Sequence, residues 1–128
     1  MSNSLRTPLS RARGLGSAKH GVSHFIHQRV TAIFLALLLP WFALSLLLST
    51  DGSFDAIQHW MGHPFNAAGT ALLALTGLYH MRLGMQVVIE DYITTPLART
   101  LCLLANTAIP ALLALVAVLS IAKVFVGA

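Results

Sequence analysis

Apolar residues in this chain are grouped into three long segments that shorter polar stretches separate. The segments cover about residues 30–48, 65–89 and 101–126. A helix needs about 20 apolar residues to cross the ~30 Å hydrocarbon core of a bilayer, so each segment is long enough. The first segment has no charged residue, whereas Arg82 interrupts the second and Lys123 lies near the end of the third. The pattern predicts an all-α membrane protein with three transmembrane helices.

The composition excludes an ordinary soluble domain. Of the 128 residues, 56% are hydrophobic and 9% are charged, and the mean hydropathy is +0.76. Soluble domains carry roughly 25% charged residues. The single cysteine, Cys102, excludes an internal disulfide framework. We expect a basic N-terminal arm over residues 1–29, a three-helix transmembrane anchor over residues 30–128, and no nucleic-acid partner.

The basic residues are distributed unevenly between the two sides of the predicted spans. The loop at 49–64 has no Lys or Arg, and the loop after the second span carries Glu90, Asp91 and Arg99. The basic residues before the first span are Arg6, Arg11, Arg13, Lys19 and Arg29. The positive-inside rule therefore predicts a cytoplasmic N-terminus and second loop, with the first loop and the C-terminus on the outer side.

The N-terminal arm has two interpretations. Residues 6–21 contain several glycines and predict an irregular segment, and the arm has no acidic residue. We interpret it as a retained cytoplasmic arm that sets the topology and attracts anionic lipid. A composition rich in Arg and Ser is also typical of a mitochondrial transit peptide, which is the alternative.

His80 lies inside the second predicted span, where an ionisable residue indicates function by default. At about 100° per residue, Gly77, Gly84 and Asp91 fall within about 60° of His80 on one stripe of the helix, together with Val87. Small residues on both sides of an imidazole leave room for a flat macrocycle whose iron the histidine binds. Close packing against another helix is the commoner explanation of such glycines, with His80 hydrogen-bonded to a neighbour.

No other histidine falls within a predicted span. His20, His24 and His27 precede the first one, and His59 and His63 lie in the outer loop. A haem site with two imidazole ligands therefore requires the second from another chain. The i,i+4 spacing of His59 and His63 is also compatible with a surface metal site, although interfacial packing is the commoner role.

Arg82 and Tyr92 are the other polar residues of interest on this helix. Arg82 lies about 200° from His80, so we expect it to point away from the glycine stripe, toward a partner subunit or a carboxylate there. Tyr92 and Asp91 lie at the cytoplasmic end, where a phenol beside an acid can bind a quinone carbonyl. An interfacial anchor is the commoner role of such a tyrosine.

Two motifs resemble those of a known family. Residues 80–92, HMRLGMQVVIEDY, resemble the H-x3-G-x6-D-Y signature of the smaller membrane-anchor subunit of succinate dehydrogenase, respiratory complex II. Residues 21–32, GVSHFIHQRVTA, are similar to the segment that leads into that family's first helix, and the basic arm looks alphaproteobacterial. The resemblance covers about residues 6–96, and the third span matches only as an apolar segment.

The resemblance implies roles for individual residues. His80 would be an axial ligand of haem b, with the other ligand supplied by the larger cytochrome b-type anchor subunit. Arg29 would lie near the haem propionates. Tyr92 would donate a hydrogen bond to a ubiquinone carbonyl, with Asp91 in the same pocket. Nothing transfers to Arg82.

The resemblance also implies an architecture and an activity. The chain would form half of a six-helix haem-binding anchor and dock an iron–sulfur subunit and a flavoprotein subunit. The expected location is a bacterial inner membrane, with the mitochondrial inner membrane as the alternative. Succinate would be oxidised in the soluble part, and electrons would reach ubiquinone near Tyr92. The alternatives are the anchor of a quinol:fumarate reductase, which has the same architecture, and a non-catalytic membrane scaffold.

Overall fold

The described part of this computed structural model is helical and contains five helices. It covers residues 7–13, of which 11–13 are described by their backbone alone, and residues 21–127. Arg6, Lys19 and His20 lie outside the described residues. The helices are α1 (Pro8–Arg13), α2 (Gly21–Ser49), α3 (Phe54–Gly62), α4 (Pro64–Tyr92) and α5 (Pro96–Gly127).

The three long helices are those that the apolar segments predict. Helices α2, α4 and α5 are each long and apolar enough to cross a membrane. Helices α2 and α5 run without interruption through Pro40 and Pro110, which membrane helices tolerate because neighbouring groups can satisfy the freed carbonyl. The prediction of an all-α membrane protein with three spans is confirmed.

Two predictions about the segments outside the spans are wrong. Residues 8–13 of the arm form α1, although an irregular segment was expected there. Helix α2 begins at Gly21, so His24 and His27 belong to this helix and do not precede it. The polar residues at the start of α2 concealed this extension, because a search for apolar residues alone ends near Val30.

Helix α3 was also not expected, since the loop that contains it is short. The Ser53 side chain accepts a hydrogen bond from the backbone N–H of Ala56 at 3.3 Å and caps the helix. Before it, Gly52 has φ +82°, a conformation that favours glycine. Hydrogen bonds from the side chain and the backbone N–H of Ser53 lower the pKa of Asp51 in this turn.

Helix α4 lies between α2 and α5 and contacts both, while α3 packs against one end of the three long helices. Trp60 of α3 is 5% exposed. Its indole N–H donates to Ser45 Oγ at 3.0 Å, and its rings lie 6.3 Å from Trp41 and 5.8 Å from Phe42. With Phe65 of α4, whose ring lies 5.6 Å from that of Trp41, this aromatic cluster joins α2, α3 and α4 at the end remote from Gly21.

Few side chains in the three long helices are buried. The buried ones are Thr31, Ala67, Leu83, Ile89 and Pro110. Large apolar residues such as Leu37, Met85 and Leu112 are exposed along the whole length of the helices. Such a surface requires lipid or another apolar subunit around it.

Candidate functional site between helices α2 and α4

Polar residues of α2 face α4 in a single stripe. His24, Gln28 and Thr31 are spaced i, i+4 and i+7, which places them on one side of the helix. Each contacts α4: His24 Nε2 lies 3.2 Å from the carbonyl oxygen of Leu83, and Gln28 and Thr31 both contact His80. We call these three residues the polar stripe of α2.

His80 lies between Thr31 and Gln28. Its Nδ1 is 2.8 Å from Thr31 Oγ1, and its Nε2 is 3.4 Å from Gln28 Nε2. The first distance is that of a good hydrogen bond, whereas the second exceeds the usual 2.7–3.2 Å range. One ring nitrogen of His80 is therefore held firmly and the other is held weakly.

The contacts at Gln28 are incomplete. Its side-chain oxygen, Oε1, is buried without a hydrogen-bond partner among the described residues, and its amide nitrogen makes only the long contact with His80. A buried polar atom without a partner typically lowers stability by about 1–3 kcal/mol. The polar stripe thus has unused hydrogen-bonding capacity beside the imidazole.

A second pair of side chains extends the network along the helices. The Tyr79 hydroxyl lies 3.3 Å from Nδ1 of His27, and the two rings meet edge to face. Both residues are exposed. This pair is therefore a second polar link between α2 and α4, at their exposed surface.

The glycines of the stripe around His80 lie against α2. A Cβ at Gly84 would lie 3.6 Å from Gln28 Nε2, and one at Gly77 would lie 3.9 Å from Leu35 Cδ2. Both are ordinary contact distances. Closer to α3, a Cβ at Gly69 would overlap the indole of Trp41, so the close approach of the two helices requires glycine there.

Three residues assigned to cofactor or quinone binding have exposed side chains. Tyr92 is 82% exposed at the last position of α4, beside exposed Asp91. It is about 18 Å from His80 along the axis, at a rise of 1.5 Å per residue. Arg29 is exposed on α2, with its guanidinium 5.2 Å from the centre of the Phe25 ring.

Arg82 lies on the opposite side of α4, as its 200° offset predicts. It lines a cavity of about 350 Å³ between α4 and α5, together with Tyr79, Thr107 and Pro110. Its Nε is buried and has no hydrogen-bond partner among the described residues. The carbonyl oxygen of Arg82 accepts a hydrogen bond from Asn106 of α5 at 2.9 Å.

The histidines of the first loop do not form a metal site in this structure. His59 lies in α3, whereas His63 follows the end of α3 and accepts a hydrogen bond from the backbone N–H of Phe65 at 3.3 Å. Within residues 7–13 and 21–127, no group of three or more His, Cys, Asp or Glu side chains could hold a metal ion.

Two residues of this site, Gln28 and Thr31, were not predicted from the sequence. Their i, i+3 spacing with each other, and the i+4 spacing of His24 and Gln28, did indicate one helix face. This spacing can be recognised only when α2 is extended back to Gly21. A span that begins at Val30 includes Thr31 but neither His24 nor Gln28.

The fold and this site define a multi-pass α-helical membrane protein with a polar cluster between two of its spans. Residues 3–122 match the family described as "Succinate dehydrogenase/Fumarate reductase transmembrane subunit". The chain belongs to this family of transmembrane subunits.

Curated relatives agree with the family assignment. A protein from Rickettsia bellii (strain RML369-C) is 36% identical over 105 residues, which are 82% of this chain and 84% of the relative. One from Paracoccus denitrificans is 35% identical over 67% of each chain. Both relatives are named "Succinate dehydrogenase hydrophobic membrane anchor subunit". No solved structure is significantly similar to the chain.

Proposed function

We propose that this chain is the smaller membrane anchor of a succinate:ubiquinone oxidoreductase and that His80 is an axial ligand of a haem b shared with a larger anchor subunit. The observation that carries the proposal is the environment of His80. Its Nδ1 has a firm partner in Thr31, while its Nε2 has only the long contact with Gln28. A histidine that binds iron through one nitrogen and a protein oxygen through the other needs this asymmetry.

Two observations on the described residues support such a ligand. His80 lies in a helix that can cross the membrane, and Gln28 Oε1 beside it has no partner. When bound, haem b supplies a one-electron carrier whose potential depends on its axial ligands. Binding requires that the Gln28 amide release Nε2, which costs little because that contact is long.

The second imidazole comes from the larger anchor subunit under this proposal. His24 and His27 are already engaged by the Leu83 carbonyl and the Tyr79 hydroxyl. His59 and His63 lie at the other end of the molecule, around α3. The chain therefore provides half of a six-helix anchor and half of the haem ligands, and exposed Arg29 would face a haem propionate.

Quinone binding is assigned to Tyr92 and Asp91. Both are exposed at the end of α4, where a quinone and the soluble subunits could reach them. The Tyr92 hydroxyl would donate a hydrogen bond to a quinone carbonyl, and Asp91 would orient the ring or supply a proton. Reduction to ubiquinol takes two electrons and two protons, with the electrons delivered by iron–sulfur and flavoprotein subunits docked on the cytoplasmic side.

Arg82 supports the assignment of a partner subunit. All four acidic residues of the chain lie at helix ends or in loops: Asp51, Asp55, Glu90 and Asp91. A guanidinium in a span is unfavourable without an anionic partner. We propose that a carboxylate of a neighbouring subunit approaches Arg82 at the cavity between α4 and α5.

Two other functions remain in view for specific reasons. The family description covers fumarate reductase as well, and an anchor of that enzyme would use the same residues with electrons flowing from quinol. The contact between Gln28 and His80 favours a scaffold in which the histidine only joins α2 to α4.

The haem assignment is tested by spectroscopy of the four-subunit complex. We expect the complex to show a low-spin b-type spectrum, and this chain expressed without the larger anchor to show none. His80→Leu should shift or abolish the low-spin signal, whereas His59→Ala should preserve it. An unaltered low-spin spectrum in an assembled His80→Leu complex would favour the scaffold.

A further inference from the structure

We propose that Thr31 is a positioning residue for His80: its hydroxyl oxygen accepts a hydrogen bond from Nδ1–H and so leaves the lone pair on Nε2, the nitrogen that would bind the iron. The inference rests on the proposed function, because it assigns a second residue to the same ligand site. Thr31 is 9% exposed and, among the described residues, is the only polar one that is buried. None of its hydrogen bonds reaches the Tyr92 end of α4, where quinone binding is assigned.

The hydrogen bonds of Thr31 determine which group donates. Its hydroxyl lies 2.8 Å from the His27 carbonyl oxygen and 3.1 Å from that of Gln28. A hydroxyl has one proton to donate, and a threonine inside a helix normally gives it to the preceding turn. The proton therefore goes to α2, and Thr31 Oγ1 accepts from His80.

The Nδ1 of His80 then carries the ring proton. Nδ1 and Oγ1 are 2.8 Å apart, the distance of a well-formed hydrogen bond. A neutral imidazole with its proton on Nδ1 has its lone pair on Nε2, which is the nitrogen facing Gln28. The tautomer needed to bind iron through Nε2 is thus the one that Thr31 selects.

Thr31 also fixes the direction of the ring. Its side chain is β-branched and stiff about χ1, and the bond to the His27 carbonyl holds the hydroxyl in one rotamer. The acceptor is consequently fixed relative to α2. Because His80 is on α4, the contact sets the imidazole plane with respect to both helices at once.

An acceptor behind a ligating histidine raises the basicity of that ligand. A more basic imidazole stabilises ferric over ferrous iron, so loss of the acceptor should raise the midpoint potential of the haem. Changes to such supporting residues typically alter metal affinity 10–100-fold. We expect a change on the order of tenfold in the ferric/ferrous ratio, equivalent to 59 mV for one electron.

The experiment compares four variants in the assembled complex by potentiometric titration of the haem. Thr31→Val keeps the shape and removes the hydroxyl, Thr31→Ala removes it without the β-branch, and Thr31→Ser restores it. Thr70→Val is the matched control, since Thr70 Oγ1 donates to the Asn66 carbonyl at 2.7 Å in the same way but lies far from His80 along α4. We expect raised potentials with Val and Ala at position 31, and wild-type potentials with Thr31→Ser and Thr70→Val.

The outcomes distinguish the positioning role of Thr31 from the ligand role of His80. A wild-type potential in both Thr31→Val and Thr31→Ala, or an equal shift in Thr31→Ser, would overturn the role of Thr31 while leaving His80 as the ligand. An assembled His80→Leu complex with an unaltered spectrum would overturn the ligand assignment, and the role of Thr31 with it.

Discussion

The amide nitrogen of Gln28 lies 3.4 Å from Nε2 of His80, the ring nitrogen that Thr31 leaves without a firm partner. In the isolated chain, Gln28 therefore covers the nitrogen that the haem assignment requires. If the two residues form a structural link, removal of the amide should weaken the α2–α4 contact. If Nε2 binds iron, the Gln28 amide competes with the iron for this nitrogen.

The variant Gln28→Leu distinguishes these two roles. It replaces the amide with an apolar group of similar volume and removes the unpartnered Oε1. If Nε2 binds iron, we expect the complex to assemble with its low-spin haem spectrum intact, because the iron would take the place of the amide. The measurement is the haem content per complex, with Gln58→Leu in α3 as the matched control. Loss of assembly in Gln28→Leu alone would support the structural link.

Gly69 should be the least replaceable glycine of α4. An added Cβ would overlap the Trp41 indole, whereas a Cβ at Gly77 would make an ordinary 3.9 Å contact with Leu35. We expect Gly69→Ala to lower the stability of the complex by about 1–3 kcal/mol, the usual range for overpacking. Gly77→Ala should be nearly neutral. Thermal unfolding in detergent measures both, and equal stabilities would show that Trp41 can move aside.

The spans could be predicted from the sequence because a helix that crosses a bilayer needs a long apolar segment, which few other structures contain. Helix α3 could not, since nine residues are too few for an apolar repeat to be decisive, and its stability depends on Trp60 packing against Trp41 and Phe42. The early start of α2 was missed for a related reason. His24 and Gln28 look unsuited to a buried helix until α4 supplies the Leu83 carbonyl and His80 as partners.

The candidate site was predictable in part. His80 could be singled out because an ionisable residue inside a span is unfavourable without a role. Its partners Thr31 and Gln28 lie 49 and 52 residues away in the sequence, and no local spacing links them to it. Which residues face each other across α2 and α4 depends on the register of the two helices, set by contacts such as Gly69 against Trp41.

Arg82 should be required for assembly if a partner carboxylate faces it. Arg82→Met would leave that carboxylate buried without a counter-charge, which typically lowers stability by about 3–5 kcal/mol. Arg82→Lys retains the charge and should preserve part of the contact. Co-purification of the four subunits measures the effect, with Arg99→Met, an exposed residue of α5, as the control. Normal assembly of Arg82→Met would mean that no buried carboxylate depends on it.

The orientation of the chain is predicted by its charges. Basic residues are concentrated before the first span, and the loop that contains α3 has none. The positive-inside rule then places the C-terminus on the outer side. We expect alkaline phosphatase fused after residue 128 to be active and a fluorescent protein fused there to be dark. The reverse result would place Tyr92 on the outer side, away from the soluble subunits.

Tyr92 should act in quinone reduction through its hydroxyl. Tyr92→Phe keeps the ring of this exposed residue and removes the hydroxyl, whose proposed hydrogen bond to quinone would be worth about 0.5–1.5 kcal/mol net. We expect succinate:quinone activity to fall about two- to tenfold, while haem content is retained. Succinate oxidation by an artificial dye that accepts electrons before the quinone should be unchanged. Tyr79→Phe is the matched control, because that hydroxyl faces His27 and lies nearer the middle of α4. If the two activities fall equally in Tyr92→Phe, the tyrosine maintains the structure of the complex and does not bind quinone.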